Sequence, residues 1–288
     1  MGKLLFNKKT ALVAIALAIV AAVIIFTRRE NQEPVEIFAL SAIVVDANSG
    51  RILYEKNPHL PLLPSSITKL AALLPVFEAI DDGRISFDTE VTVSLRAAMV
   101  LASQAGFSAG DIATVYGLIM ASMLPSGSEA IMALGEFLYG TEEDFVAAIN
   151  EAVARIGMEN TRFTSSAGLD HADHFTTAHD ISLLARHFIA YHPGIFDFTS
   201  NEYYVYQMPG GERLQMRNTN DMLRFNSVNG LKTGSSPASG SSLVFTNTRG
   251  RTTQVYVVLS APNYLMRVHD TELLLRRFGS FRGVFRWI

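Results

Sequence analysis

Pro64-Ser65-Ser66-Ile67-Thr68-Lys69-Leu70 puts a serine and a lysine three residues apart at the start of an apolar run. A helix beginning here brings positions i and i+3 onto one face, so Ser66 Oγ and Lys69 Nζ come within hydrogen-bond reach. A serine hydroxyl at neutral pH needs a base beside it to act as a nucleophile. A lysine serves as that base only when its pKa is brought down toward the working pH. The partial positive charge of a helix N-terminus disfavours an ammonium and favours a developing alkoxide. A plainer arrangement fits the same residues, with Ser65 or Ser66 as an N-cap and Lys69 as a solvated first-turn side chain. Partners elsewhere in the chain decide between the two.

The chain has 288 residues, room for one large domain or two modest ones, and 49% of them are apolar, enough for a proper core. The net charge is -3 and there is no Lys/Arg run, which argues against a nucleic-acid partner. With no cysteine, disulfides, thiolate metal sites and a cysteine nucleophile are excluded. Residues 10–27, TALVAIALAIVAAVIIFT, carry no charge and follow Lys3, Lys8 and Lys9. Eighteen uncharged residues are near the lower limit for crossing a bilayer and exceed a usual signal-peptide core. The later cleavage candidate, Leu40-Ser41-Ala42, would cut into the first strand. Residues 1–30 therefore read as an uncleaved signal-anchor, one transmembrane helix. It holds the N-terminus in the cytoplasm and the rest on the extracytoplasmic side of the membrane.

Residues 31–37 read as a linker and 38–288 as one domain. Within it, 42–55 alternates around Asn48-Ser49-Gly50, a hairpin pattern. The Ser66 helix runs to about 80, with Pro75 expected to kink or break it. Residues 83–200 are mostly helical, including 111–123, 129–139, 178–190 and a helix opened by the capping box Thr141-Glu142-Glu143-Asp144. A second hairpin, 203–215, turns at Pro209-Gly210-Gly211. Three strand-like runs follow, at 228–233, 241–247 and 252–260, then a helix over 272–278. Strands at both ends with helices between predict an α+β fold. One antiparallel sheet is flanked by helices, with a helical lobe inserted between its two halves.

Two further stretches carry chemistry. Leu124-Pro125-Ser126-Gly127-Ser128-Glu129-Ala130 lies sixty residues past Ser66. Ser126 and Glu129 make a capping box for the next helix, though a serine held between helices also points well into a cleft. Gly230-Leu231-Lys232-Thr233-Gly234-Ser235 falls on a strand. Its glycine spacing does not fit a phosphate loop, whereas a lysine beside a hydroxyl at a strand edge makes a carboxylate clamp. Gly234 would let a substrate backbone come close. His171, Asp173, His174, His179 and Asp180 cluster in ten residues, but their spacing matches no His-Glu-x-x-His helix, and no metal or other cofactor is assigned.

Ser66-x-x-Lys69, Ser126-Gly127-Ser128 and Lys232-Thr233-Gly234, in this order, resemble the three motifs of penicillin-recognising serine enzymes. The wider context is similar to the low-molecular-mass D-alanyl-D-alanine carboxypeptidases of serine peptidase type S11, over about residues 38–280. Residues 42–54, 64–70, 116–130, 145–163, Ala167-Gly168-Leu169-Asp170, Thr177-Ala178-His179-Asp180 and 230–234 all match. The resemblance implies a β-lactamase/DD-peptidase-like fold and peptidoglycan stem peptides as substrate. Ser66 would attack the penultimate D-Ala carbonyl, Lys69 would take its proton and Ser126 would pass a proton to the leaving D-Ala. Lys232 and Thr233 would hold the terminal carboxylate, with Arg267 adding to that site. Backbone N–H groups of Ser66 and Ser235 would form the oxyanion hole. β-Lactams would acylate Ser66.

The chain departs from the pattern in two places. The family's second motif usually ends in Asn, whose amide contacts the lysine and the substrate; here the resemblance gives that substrate-binding place to Ser128, which is shorter. The β-rich C-terminal domain and terminal anchor of relatives are not found before Ile288, which leaves tethering to the N-terminal segment. A class A β-lactamase shares two motifs but needs a Glu-x-x-Leu-Asn stretch between Ser126 and Lys232, and none is present. A DD-endopeptidase acting on cross-links with the same residues, and a catalytically weak peptidoglycan-binding protein motivated by Ser128, are the alternatives.

Overall fold

The computed structural model describes residues 35–279, together with Ile15. Apart from Ile15, the segment read as a membrane anchor lies outside the described residues, as does most of 31–37. Among the described residues no helix is long and apolar enough to cross a membrane.

The β-branched runs at the two ends of the domain build one sheet. Strands β1 (Ser41–Asp46), β2 (Ile52–Lys56), β7 (Val228–Ser236), β8 (Gly240–Arg249) and β9 (Thr252–Ala261) stand in the order β2-β1-β9-β8-β7, all antiparallel. The β1–β9 register, Ser41↔Leu259 to Asp46↔Gln254, joins the start of the domain to its end. Asp46 Oδ1 holds the β1–β2 turn by accepting from Ser49 N and Oγ. Along β9, Val255, Val257 and Leu259 face the main core while Tyr256 and Val258 point the other way, and all are buried.

Between β2 and β7 runs a helical lobe. Its central helix, α1 (Thr68–Asp81), is buried from Thr68 to Phe77. It packs against β7, α3 (Val115–Met123), α4 (Ser128–Tyr139) and α5 (Glu142–Arg155). The short α2 (Leu95–Ala98), α6 (Ala178–Tyr191) and α7 (Ile195–Thr199) complete the lobe, and α6 also packs on β1 and β9. Helix α8 (Tyr264–Phe278) covers β8 and β9. Thr141 caps α5, its Oγ1 accepting from Asp144 N as the sequence predicts.

Four local readings are corrected. Helix α1 runs through Pro75 without a break, because burial of Leu70, Leu73, Leu74 and Val76 offsets the one backbone bond proline removes. Ser66 sits in a 3-10 turn, Ser65–Ile67, rather than in the α-helix itself. The run 111–123 is not one helix. Ile112–Thr114 forms β4, paired with β3 (Glu90–Thr92), and Thr114 Oγ1 then caps α3 by accepting from Gly117 N. The last helix begins at Tyr264, capped by Asn263, which puts Arg267 in its first turn. The hairpin of β5 (Tyr203–Gln207) and β6 (Arg213–Arg217) pairs Tyr203 with Arg217 around the Pro-Gly-Gly turn.

Candidate active site

The start of α1 meets the edge of β7 and the loop before α4, and three motifs converge there. Lys69 Nζ donates to Ser66 Oγ at 2.9 Å, to the Ala167 carbonyl at 2.9 Å and to Ser126 Oγ at 3.5 Å. Lys232 Nζ donates to Ser126 Oγ at 2.9 Å and to the Thr233 carbonyl at 3.2 Å. Hydrogen bonds thus run continuously from Ser66 through Lys69 and Ser126 to Lys232. Both lysines are buried, at 0% and 1% exposure.

Burial of an ammonium disfavours the charged form. It lowers the pKa of Lys69 to about 7, against the opposing pull of the Glu129 carboxylate. Lys232 is held well below the usual lysine range by burial and by the charge of Lys69. The leading cause at Lys69 is therefore desolvation, not the helix terminus invoked from sequence.

The capping-box reading of Ser126 and Glu129 fails. Gly127 precedes α4 without a side-chain cap, and Ser126 is held in a left-handed conformation, φ +69°, that aims its hydroxyl at the two lysines. Glu129, fully buried, turns to the loop between α2 and β4. Its Oε1 accepts the backbone N–H groups of Ala105, at 2.5 Å, and Gly106, at 2.9 Å. Gly234 serves the fold as well as the cleft. A Cβ there would lie 2.7 Å from the Pro64 carbonyl, so glycine is what lets β7 close on the turn carrying Ser66.

An open cleft of about 1140 Å³ lies over these groups. Ser66, Ser126, Thr233, Gly234, Ser235 and Arg267 all line it. Arg267 is buried, its Nη2 donating to Asp221 Oδ1 at 2.9 Å. Ser128 does not line the cleft. Its hydroxyl is buried with no partner among the described residues, and its N–H donates to the Ser103 carbonyl. Thr219, whose hydroxyl lies 2.5 Å from that of Thr233, and Asp221 are cleft residues the sequence reading missed. The Ala167 carbonyl was missed too, since a backbone oxygen leaves no residue-type signal. Its loop was visible only as a matching stretch. The histidine cluster separates, with His171 3.9 Å from Asp173, His179 3.3 Å from Asp180, and His174 turned inward to Thr68.

The family model for D-alanyl-D-alanine carboxypeptidase, peptidase S11, matches residues 27–263. The chain belongs to this family. The carboxypeptidase DacF of Bacillus subtilis (strain 168) is 30% identical over 77% of this chain and 57% of its own length. The carboxypeptidase DacC of Escherichia coli (strain K12) is 28% identical over 87% of this chain and 63% of its own. The chain thus spans about three-fifths of the length of these two relatives. The crystal structure of the carboxypeptidase DacD of Francisella tularensis superposes with a TM-score of 0.82 at 26% identity, covering 85% of this chain and 71% of that one. Ampicillin-bound penicillin-binding protein D2 of Listeria monocytogenes gives 0.72 at 29%, covering 85% and 98%.

Proposed function

We propose that this S11 chain is a serine-type D-Ala-D-Ala carboxypeptidase that removes the terminal D-Ala from peptidoglycan stem peptides through an acyl-enzyme on Ser66. The observation that carries this reading is the hydrogen-bonded series Ser66–Lys69–Ser126–Lys232, with both lysines buried. Neutral Lys69 takes the proton of Ser66 as its Oγ bonds to the carbonyl carbon of the penultimate D-Ala. That proton reaches the amine of the departing D-Ala by way of Ser126, and the peptide C–N bond breaks. Water then attacks the ester, freeing the shortened peptide and restoring the serine. Thr233 and Arg267 line the cleft and Lys232 lies buried beside them, and their hydroxyl, guanidinium and amine donors suit a terminal carboxylate. The N–H groups of Ser66 and Ser235 receive the oxyanion. β-Lactams acylate the same serine. Residues 10–27, flanked by Lys9 and Arg28, support tethering to the cytoplasmic membrane with the catalytic domain outside.

The test is intact-mass measurement of the protein after exposure to a penicillin, followed by D-Ala release from a stem pentapeptide. One adduct mapping to Ser66, lost in Ser66→Ala together with D-Ala release, is the expected result. Undiminished D-Ala release by Ser66→Ala would sink the proposal.

A further inference from the structure

His174 is fully buried and takes no part in the proton path just described, yet both of its ring nitrogens are engaged. Nδ1 accepts the backbone N–H of Thr164 at 2.9 Å. A ring nitrogen that accepts carries no proton, so in the neutral imidazole the hydrogen is on Nε2. Nε2 lies 2.9 Å from Thr68 Oγ1 and donates to it. The Thr68 hydroxyl is then left to donate to the carbonyl of Ser65, at 2.8 Å. Burial keeps the ring neutral, lowering its pKa to about 4. The series Thr164 N–H, His174, Thr68, Ser65 carbonyl therefore points in one direction only.

The Ser65 carbonyl and the Ser66 N–H belong to one planar peptide unit and point opposite ways. Fixing the carbonyl inward fixes where the N–H is aimed. That peptide is under strain, because Ser65 has φ +47°, a conformation L-residues adopt at a cost. Three further contacts bear on it. The backbone N–H of Thr68 donates to the same Ser65 carbonyl, closing the 3-10 turn, and the Thr68 hydroxyl adds a second donor that fixes its direction. Ser65 Oγ lies 2.6 Å from Ser239 Oγ. A Cβ at Gly168 would sit 2.0 Å from the Ser65 oxygen, so the loop that presents the Ala167 carbonyl to Lys69 also closes on this carbonyl.

We infer that His174 is a positioning residue for acyl transfer: through Thr68 and the Ser65 carbonyl it sets the Ser66 N–H at the angle that receives the oxyanion. The inference rests on the Ser66 acyl-enzyme reading. It assigns to a buried imidazole, by its tautomer alone, control over a backbone donor two hydrogen bonds away.

The full-length chain is tested by single-turnover acylation with a fluorescent penicillin, separating the encounter constant from the acylation rate constant. His174→Leu removes both ring contacts and lowers the rate constant about tenfold to a hundredfold, leaving the encounter constant unchanged. Thr68→Val does the same. The double variant loses no more than either alone, because both act through one carbonyl. His174→Gln, whose amide carries an acceptor and a donor side by side as the neutral ring does, stays within about threefold of the parent. A folded His174→Leu protein at the parental rate overturns the inference, as do multiplicative losses in the double variant or a Gln variant as slow as Leu. Should His174→Leu not fold, Thr68→Val decides, and a parental rate without the hydroxyl overturns it. A parent chain that forms no adduct overturns the Ser66 reading itself, and the inference falls with it.

Discussion

The carbonyl oxygen of Ala167 accepts a hydrogen bond from Lys69 Nζ at 2.9 Å. An ammonium has three donors, and Ser66, Ala167 and Ser126 account for them. A neutral amine keeps two donors and gains a lone pair. It retains Ala167 as a fixed point while the lone pair turns to the serine. With the Lys69 pKa at about 7, acylation by a penicillin climbs from about pH 6 to about pH 8 with its midpoint near 7. A pH series of adduct formation by intact mass checks this, and a rate that is flat across that range contradicts it.

The same residue weakens the fold. Its folded pKa, about 7, lies below the ordinary lysine value of 10.5, so between these limits the unfolded chain binds more protons and stability rises with pH. The cost is present in full below about pH 7 and disappears by about pH 10.5. Lys69→Met removes it. The variant forms no adduct yet melts about 4 °C or more above the parent at pH 7, a gap that closes as the pH is raised. Melting curves at pH 7 and pH 10 decide the matter, and equal gaps at both count against it.

Glu129 sets the protonation of Lys69 from behind. Its charge opposes the fall in the lysine pKa while Oε1 grips the Ala105–Gly106 backbone. The other charged group against Lys69 is Lys232 on β7, and Glu142 of α5 holds the Ser166 side of the Ala167 loop. Glu129→Gln keeps an acceptor for the loop and drops the charge, so the acylation midpoint moves to lower pH with little change in melting temperature. Glu129→Ala loses the grip as well and destabilises by about 2 kcal/mol, from backbone N–H groups left buried and unpaired. An unmoved midpoint in Glu129→Gln would contradict the electrostatic part.

Ser128 ends the second motif, and its hydroxyl has no partner among the described residues. Deleting a buried unpaired hydroxyl costs nothing in hydrogen bonds. Ser128→Ala is accordingly as stable as the parent or up to about 1 kcal/mol more stable, and acylates within about twofold. A tenfold loss of acylation would return Ser128 to the substrate-binding groups.

The Ser66–Lys69 contact was legible because a three-residue spacing at a helix start is geometrically stiff, whether the first residue is 3-10 or α. The sheet was legible from β-branched runs at both ends of the chain. The break offered at Pro75 is absent and Ile112–Thr114 was misread, because propensity and local pattern yielded to burial around α1 and to the pairing of β4 with β3. Ser126 could be read either as a cap or as a cleft residue, and only its left-handed backbone separates them. Thr219, Asp221 and the Ala167 carbonyl are brought to the cleft by loops. Their approach depends on chain paths that no spacing encodes.

The pairing of β1 with β9 sets an order in time. Residues 41–46 have no inner neighbour in the sheet until residues 252–261 have been synthesised, and β7, whose edge bears Lys232, is linked to β1 only through β8 and β9. Ser66 leaves the ribosome early but waits for almost two hundred residues before its lysine and hydroxyl partners can be locked around it. Such long-range closure is slow. Nascent chains stopped before β9 carry the whole Ser-x-x-Lys segment and no armed nucleophile, so reactivity toward penicillin reports completion of the domain.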